Sequence, residues 1–289
     1  MMKILVTGAN GQLGWELQRA KPDDCELTAL SRDQLDITDL EQVNNTINSI
    51  KPDWIINAAA YTAVDKAESD SQGAYAINAD GAANLATAAQ ASNARLLHIS
   101  TDFIFDGINN RPYLPEDTPN PLGVYGASKL VGEQKVRELL GDDTLIIRTA
   151  WVYSSHGNNF VKTMLRLMAE RDTLGVVEDQ VGTPSWAAEI ARAIYLSIEN
   201  NLRGIYHWTD TGAASWYDFS VAIYELGKEA GLLSNSVTIN PIPTEDYPTP
   251  AVRPPYSILN KDSLRKAINY TGKHWRDSLS QMILEIKNG

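Results

Sequence analysis

The sequence predicts an α/β protein: a doubly wound parallel sheet with a smaller, mixed α/β lobe beside it. Three observations predict it. Short apolar runs alternate with helical patterns through residues 1–150. A glycine-spaced turn joins the first strand to the first helix. From Trp151 onward the alternation gives way to helices separated by short apolar runs and a proline-rich stretch, Pro241 to Pro255. The 289 residues, 43% of them hydrophobic, suffice for a sizeable core and correspond to one or two domains.

Lys3 to Thr7 reads as the first strand, followed by Gly8-Ala9-Asn10-Gly11-Gln12-Leu13-Gly14 and a helix to about Arg19. Glu26 to Leu30 is the second strand. Thr38 is expected to cap a helix carrying Leu40, Val43, Ile47 and Ile50 at helical spacing, and Pro52 to stop it. Trp54 to Asn57 is the third strand, an alanine-rich helix covers about Ala74 to Ala91, and Arg95 to Ser100 is the fourth. A polar loop from Gly107 to Pro121 precedes a helix from Tyr125 to Leu140 and a fifth strand, Thr144 to Arg148. Right-handed crossovers between such strands give a parallel sheet. Later helices are expected at Asn159 to Glu170, Ser185 to Ile198, Trp216 to Ala230 and Trp275 to Ile286. Residues 1–150 then form a dinucleotide-binding domain to which some later segments return, and 151–289 form mainly a second, ligand-binding lobe.

Composition excludes several classes. Twenty-five basic against 36 acidic residues leave a net charge of −11 without a basic cluster, which argues against nucleic acid as a partner. No segment approaches the roughly 18 consecutive apolar residues of a membrane span. The N-terminal apolar run is too short for a signal-peptide core. The single cysteine, Cys25, fits a reducing cytoplasm, and the four histidines show no zinc spacing.

Gly8, Gly11 and Gly14 stand where the Rossmann-like fold makes a tight turn and aims a helix N-terminus at a pyrophosphate. Asn10, Gln12 and Leu13 belong to the same turn. At the end of the second strand an acid would hold a ribose 2′-hydroxyl. The residues here are Ser31-Arg32, a hydroxyl and a guanidinium, which suit a 2′-phosphate and favour NADPH over NADH, although Arg32 also reads as a solvated residue. Asp36-Ile37 falls where adenine contact is expected.

Tyr125 and Lys129 lie four apart and so on one helical face. A lysine cation beside a phenol favours the phenolate, so Lys129 is expected to lower the pKa of Tyr125 and fit it for general acid work. Ser100-Thr101-Asp102 closes the fourth strand at the sheet edge where ligands bind, and a hydroxyl there reaches a reacting carbonyl oxygen.

With the glycine loop, Thr101, Tyr125 and Lys129 in this order, the chain resembles the extended short-chain dehydrogenases/reductases. The strings from Gly11 to Leu17, Asn57 to Glu68, Ser100 to Gly107, Arg148 to Tyr153, Gly157 to Met164, Asp179 to Pro184 and Tyr247 to Pro254 narrow the resemblance to members acting on dTDP-linked deoxysugars. The resemblance implies reduction of the C4 ketone of dTDP-4-dehydro-L-rhamnose, the last step of dTDP-L-rhamnose synthesis. Tyr125 would be the general acid, Lys129 would hold the nicotinamide ribose, and Thr101 would bond the developing alkoxide. Ala60, Tyr61 and Thr62 would flank the nicotinamide half. Asp102 and Trp151 would grip the sugar, and Asn158, Asn159 and Arg253 the diphosphate. Trp151 also suits a buried lobe junction, and Arg253 a surface ion pair. Some family members place a magnesium ion at a homodimer contact, and Glu16, Glu189 and Glu285 fall in matching contexts. Other readings are a nucleotide-sugar epimerase or dehydratase, or a non-catalytic dinucleotide-binding regulatory subunit.

Overall fold

The computed structural model describes residues 1–289. Its first half runs β1 (Met2–Thr7), α1 (Gln12–Arg19), β2 (Cys25–Leu30), α2 (Leu40–Ile50), β3 (Trp54–Asn57), α3 (Val64–Ala67), α4 (Ser71–Tyr75), α5 (Gly81–Ser92), β4 (Arg95–Thr101), α6 (Val124–Leu140) and β5 (Thr144–Thr149). β1 pairs in parallel with β2 on one side and β3 on the other, and β4 and β5 continue outward from β3. The chain therefore reverses direction across the sheet at β1, which opens a crevice at the carboxyl ends of β1 and β3. Strand alternation explains the two-sided burial: Ile4 and Val6 join one apolar layer and Leu5 the other. α2, α5 and α6 cover the Leu5 face through Val43, Ile47, Leu85 and Val136.

Two local expectations change. α2 is capped by Asp39, whose carboxylate accepts from the Gln42 N–H at 3.0 Å, while Thr38 turns to Asp36. A carboxylate at that position is also the better match for the positive helix N-terminus. The single long helix expected over Ala74 to Ala91 is instead α4 and α5 joined by a π-helical turn, Ala76–Asp80. That wide turn carries Asn78 toward α6, where its amide donates to the Ser128 hydroxyl at 3.0 Å.

The second half runs β6 (Val152–Tyr153), α7 (Phe160–Glu170), β7 (Thr173–Val177), β8 (Val181–Gly182), β9 (Ser185–Trp186), α8 (Ala187–Glu199), β10 (Gly204–His207), β11 (Ala214–Ser215), α9 (Trp216–Glu229), β12 (Thr238–Ile242), α10 (Asp262–Ile268) and α11 (Trp275–Asn288). β10 pairs in parallel with β5 as the sixth strand, giving the order β10-β5-β4-β3-β1-β2. α8 and α10 return with it, placing Ile190, Ile194 and Leu264 in the same apolar layer as Leu13, Leu17 and Ile56. The remaining elements enclose a separate core of Val161, Met164, Phe219, Leu279 and Met282 beside the paired β7 and β12.

Candidate active site

A cleft of 830 Å³ runs from the glycine loop, past the ends of β3 and β4, to the face of α9. At its near end Gly8 has φ of +77°, which side-chain-bearing residues rarely adopt. A Cβ at Gly14 would come within 2.2 Å of the Gly8 carbonyl oxygen, so only glycine lets α1 start this close to the turn. The loop thus presents bare backbone at a helix N-terminus, a cradle suited to a pyrophosphate. Asn10, Gln12 and Leu13 line the same end.

Arg32, Asp36 and Ile37 line the adjoining wall. The Arg32 side chain is 74% exposed and has Asp36 as its nearest acid at 3.9 Å, so its guanidinium is available to an anion. Ser31 is turned inward, its hydroxyl donating to Gln34 at 3.1 Å. Ala60 and Thr62 face the cleft. Tyr61 differs from expectation: its hydroxyl donates to Asp70 at 3.0 Å, and its backbone N–H donates to Asn78.

At the centre, Thr101, Asp102, Tyr125 and Lys129 line one stretch of wall. The Thr101 hydroxyl donates to Asp102 Oδ1 at 3.0 Å and accepts from the Phe103 backbone N–H at 3.1 Å. The expectation that Lys129 lowers the Tyr125 pKa is corrected here. Burial pushes the phenol up to about 12, the Asp102 charge adds to the rise, and the neighbouring Thr101 hydroxyl only partly offsets it. Lys129 is aimed elsewhere: Nζ donates to the Ile99 carbonyl at 2.6 Å and lies 3.4 Å from His98 Nε2. Burial pulls Lys129 down to about 8 and lifts Asp102 to about 6. Asp102 Oδ2 is buried without a hydrogen-bond partner among the chain's own groups.

The far end is aromatic. Trp151, with φ of +48°, stacks on Trp216 with ring centroids 3.5 Å apart and planes 3° from parallel. Trp216 is anchored by its indole N–H, which donates to Gln180 at 3.2 Å. A Cβ at Gly182 would come within 2.6 Å of the Trp151 indole, which explains the glycine in that string. Trp216 was not expected from the sequence. It heads an ordinary-looking helix, and only its register against Trp151 marks it.

The residues expected at a diphosphate divide. Asn158 and Asn159 line the cleft, but Asn159 is committed: it caps α7 by accepting from Lys162 and donates to Ser154 O and Gln12. Arg253 also reaches the cleft, with its fork held by Asp65 at 3.0 and 2.8 Å. Of the three glutamates expected at a magnesium ion between two copies, Glu16 and Glu285 come together and Glu189 lies with other partners. Glu16 and Glu285 converge on Arg19, each 2.9 Å from its guanidinium, so a cation of the chain already occupies the place between them. Glu189 is engaged separately by Lys273 and the Tyr270 hydroxyl. Nowhere does the chain gather three metal-ligating side chains, and no helix is long and apolar enough to cross a membrane.

A parallel sheet with a glycine cradle at its reversal point, and Thr, Tyr and Lys gathered beyond it, defines an extended short-chain dehydrogenase/reductase. The model of the RmlD substrate-binding domain family matches residues 2–288. A dTDP-4-dehydrorhamnose reductase of Aggregatibacter actinomycetemcomitans is 42% identical, with 98% of each chain covered. The crystal structure of a dTDP-4-dehydrorhamnose reductase from Clostridium acetobutylicum superposes with a TM-score of 0.92 at 43% identity, covering 98% of each chain. That of the Bacillus anthracis reductase, solved in complex with NADP, gives 0.93 at 40% identity, covering 99% of this chain and 100% of that one. The chain belongs to the dTDP-4-dehydrorhamnose reductase family of oxidoreductases.

Proposed function

We propose that this chain reduces the C4 ketone of dTDP-4-dehydro-L-rhamnose to dTDP-L-rhamnose with NADPH as reductant, closing dTDP-L-rhamnose synthesis. The observation that carries the reading is the gathering of Thr101, Tyr125 and Lys129 in one cleft between a glycine cradle and a tryptophan pair. Family membership supports the substrate, and the NADP complex of the Bacillus anthracis relative supports the dinucleotide.

The backbone of Gly8 to Gly14 would hold the pyrophosphate, Asp36 and Ile37 the adenine side, and the free guanidinium of Arg32 the 2′-phosphate. Ala60 and Thr62 flank the nicotinamide half, with Tyr61 between them held by Asn78 and Asp70. When bound, the reduced nicotinamide supplies the hydride that the sugar C4 accepts. Tyr125 holds its proton at neutral pH and gives it to O4 as the alkoxide develops, while the Thr101 hydroxyl donates to the same oxygen. Lys129 holds ribose hydroxyls from the same wall. Asp102 offers its unpartnered Oδ2 to a sugar hydroxyl. Trp151, braced by Trp216, gives the deoxysugar an apolar face. Asn158 is the amide left free for the diphosphate, and Arg253 with Asp65 forms the wall beside it.

We assign the dinucleotide side to residues 1–150 together with the returning 187–208 and 262–268, and the sugar side to most of the rest. The single cysteine and the acidic net charge support a cytoplasmic enzyme. The test is absorbance at the reduced-nicotinamide band with dTDP-4-dehydrorhamnose generated in situ, run separately with NADPH and NADH. Stoichiometric loss of signal with dTDP-rhamnose formed, faster with NADPH, is expected. Tight dinucleotide binding without turnover would overturn the assignment in favour of a binding role.

A further inference from the structure

The proline-rich stretch from Pro241 to Pro255 is an excursion whose two ends rest on one short segment, Glu178 to Val181. At its start the Glu178 N–H donates to the Ile242 carbonyl at 3.0 Å. The Asp179 carboxylate there accepts from the Thr244 N–H at 3.0 Å and from the Thr244 hydroxyl at 2.6 Å. At its end the Val181 N–H donates to the Pro255 carbonyl at 2.8 Å. Between these ends the loop crosses to the dinucleotide half, where Asp65 of α3 accepts from the Arg253 fork and the Ala251 N–H. Gln180 is buried at the base of this loop. An indole N–H only donates, so the 3.2 Å contact of Trp216 Nε1 fixes the Gln180 amide: Oε1 faces the indole and Nε2 faces Thr244 Oγ1 at 3.0 Å. The Thr244 oxygen accepts from the amide and sends its own hydrogen to Asp179. Trp216, Gln180, Thr244 and Asp179 thus bond head to tail. Thr244 holds the Asp179 carboxyl below its ordinary range, so the series ends on a charge. In such a series each member polarises the next, which strengthens the bond at the indole.

We propose that Gln180 is a positioning residue for sugar-nucleotide binding: it ties the base of the proline-rich loop to Trp216 and, through the stacked rings, fixes the plane of Trp151. The inference rests on the reading of Trp151 as the apolar wall for the deoxysugar. Both rings are half-buried and open toward the cleft. Trp151 lies between the bare backbone of Gly182 and the face of Trp216. Stacked faces attract without fixing a position along the plane, so the pair can slide unless a directional bond holds one ring. The Trp216 N–H to Gln180 is such a bond, and its anchor is the loop that Asp65 draws across from the other half.

Two variants of the full chain separate this tie from packing. Gln180→Met keeps the length of the side chain and removes both of its bonds. Thr244→Val keeps the shape of an exposed residue remote from the rings and removes the acceptor for Nε2, so it remains informative should Gln180→Met not fold. The Trp216 indole N–H resonance, assigned by its loss in Trp216→Phe, is expected to move upfield in Gln180→Met and less far in Thr244→Val. In steady-state assays with dTDP-4-dehydrorhamnose and NADPH, both variants should raise KM for the sugar nucleotide by roughly three- to tenfold, the effect of one lost hydrogen bond. kcat and the Kd for NADPH should stay near their wild-type values. An indole resonance unmoved by Thr244→Val, or a fall in kcat and Tm with KM unchanged, would overturn the proposal and leave Gln180 a packing residue. A wild-type chain that binds NADPH without turnover would instead sink the reductase assignment, and the tie would be judged by the indole resonance.

Discussion

At the scale of single residues the site is governed by what burial does to ionisable groups. Tyr125 is buried, with the Asp102 carboxylate beside it, so its phenol is raised to about 12 and arrives protonated. That is the form an acid catalyst needs. Tyr125→Phe is expected to lower kcat by the roughly 10²- to 10⁴-fold typical of a lost general acid, with dinucleotide affinity measured by fluorescence titration unchanged. Arg32 is largely exposed and only loosely paired with Asp36 at 3.9 Å, so its charge is available to the proposed 2′-phosphate. Arg32→Ala should raise the Kd for NADPH more than that for NADH, and equal effects on both would remove the phosphate contact.

At the scale of elements, the site depends on how closely backbones approach. α1 meets the glycine turn at Gly14, and α6 meets the π-helical turn at Gly132, where a Cβ would lie 2.1 Å from the Asn78 carbonyl oxygen. That crossing places α6, and with it Tyr125 and Lys129, against the end of β4. Gly132→Ala must push α6 outward. Overpacking of this kind typically costs about 1–3 kcal/mol, so Tm should fall, and the displacement should lower kcat even where the protein remains folded. The π-helical turn has no periodic signature in the alanine-rich sequence around it. Asn78 is the residue it serves, bonding Tyr61, the Tyr61 carbonyl and Ser128 at once.

At the scale of the whole molecule, buried titratable groups of opposite sense offset each other. His98 is held well below its ordinary value and His207 at about 3, so each withholds a proton that the unfolded chain binds below about 6.5. Stability from these two falls as pH drops through 6.5. Asp102 at about 6 and Asp210 at about 7 do the reverse, taking up protons in the folded state that the unfolded chain binds only near 4. Stability from these rises as pH falls from 7. Between pH 6 and 5 the two pairs nearly cancel, and denaturant melts should show a flat stability there. Asp210→Asn removes one side of the balance, so stability should decline on acidification by about 1.4 kcal/mol per pH unit. An equally flat profile in that variant would show that Asp210 does not titrate this way.

The chain's local patterns were enough to determine the alternating α/β architecture, the glycine cradle and the placing of Tyr125 and Lys129 on one helical face. Each is written in short-range periodicity or spacing, and the cradle and the edge of a parallel sheet can form in only one place. The direction of the Tyr125 shift, the stacking of Trp216 on Trp151, the engagement of Arg253 by Asp65 and the meeting of Glu16 and Glu285 on Arg19, with Glu189 engaged elsewhere, were decided by tertiary structure alone. Their partners lie tens to hundreds of residues apart, and the outcome turns on burial and distance, quantities that a linear pattern does not carry.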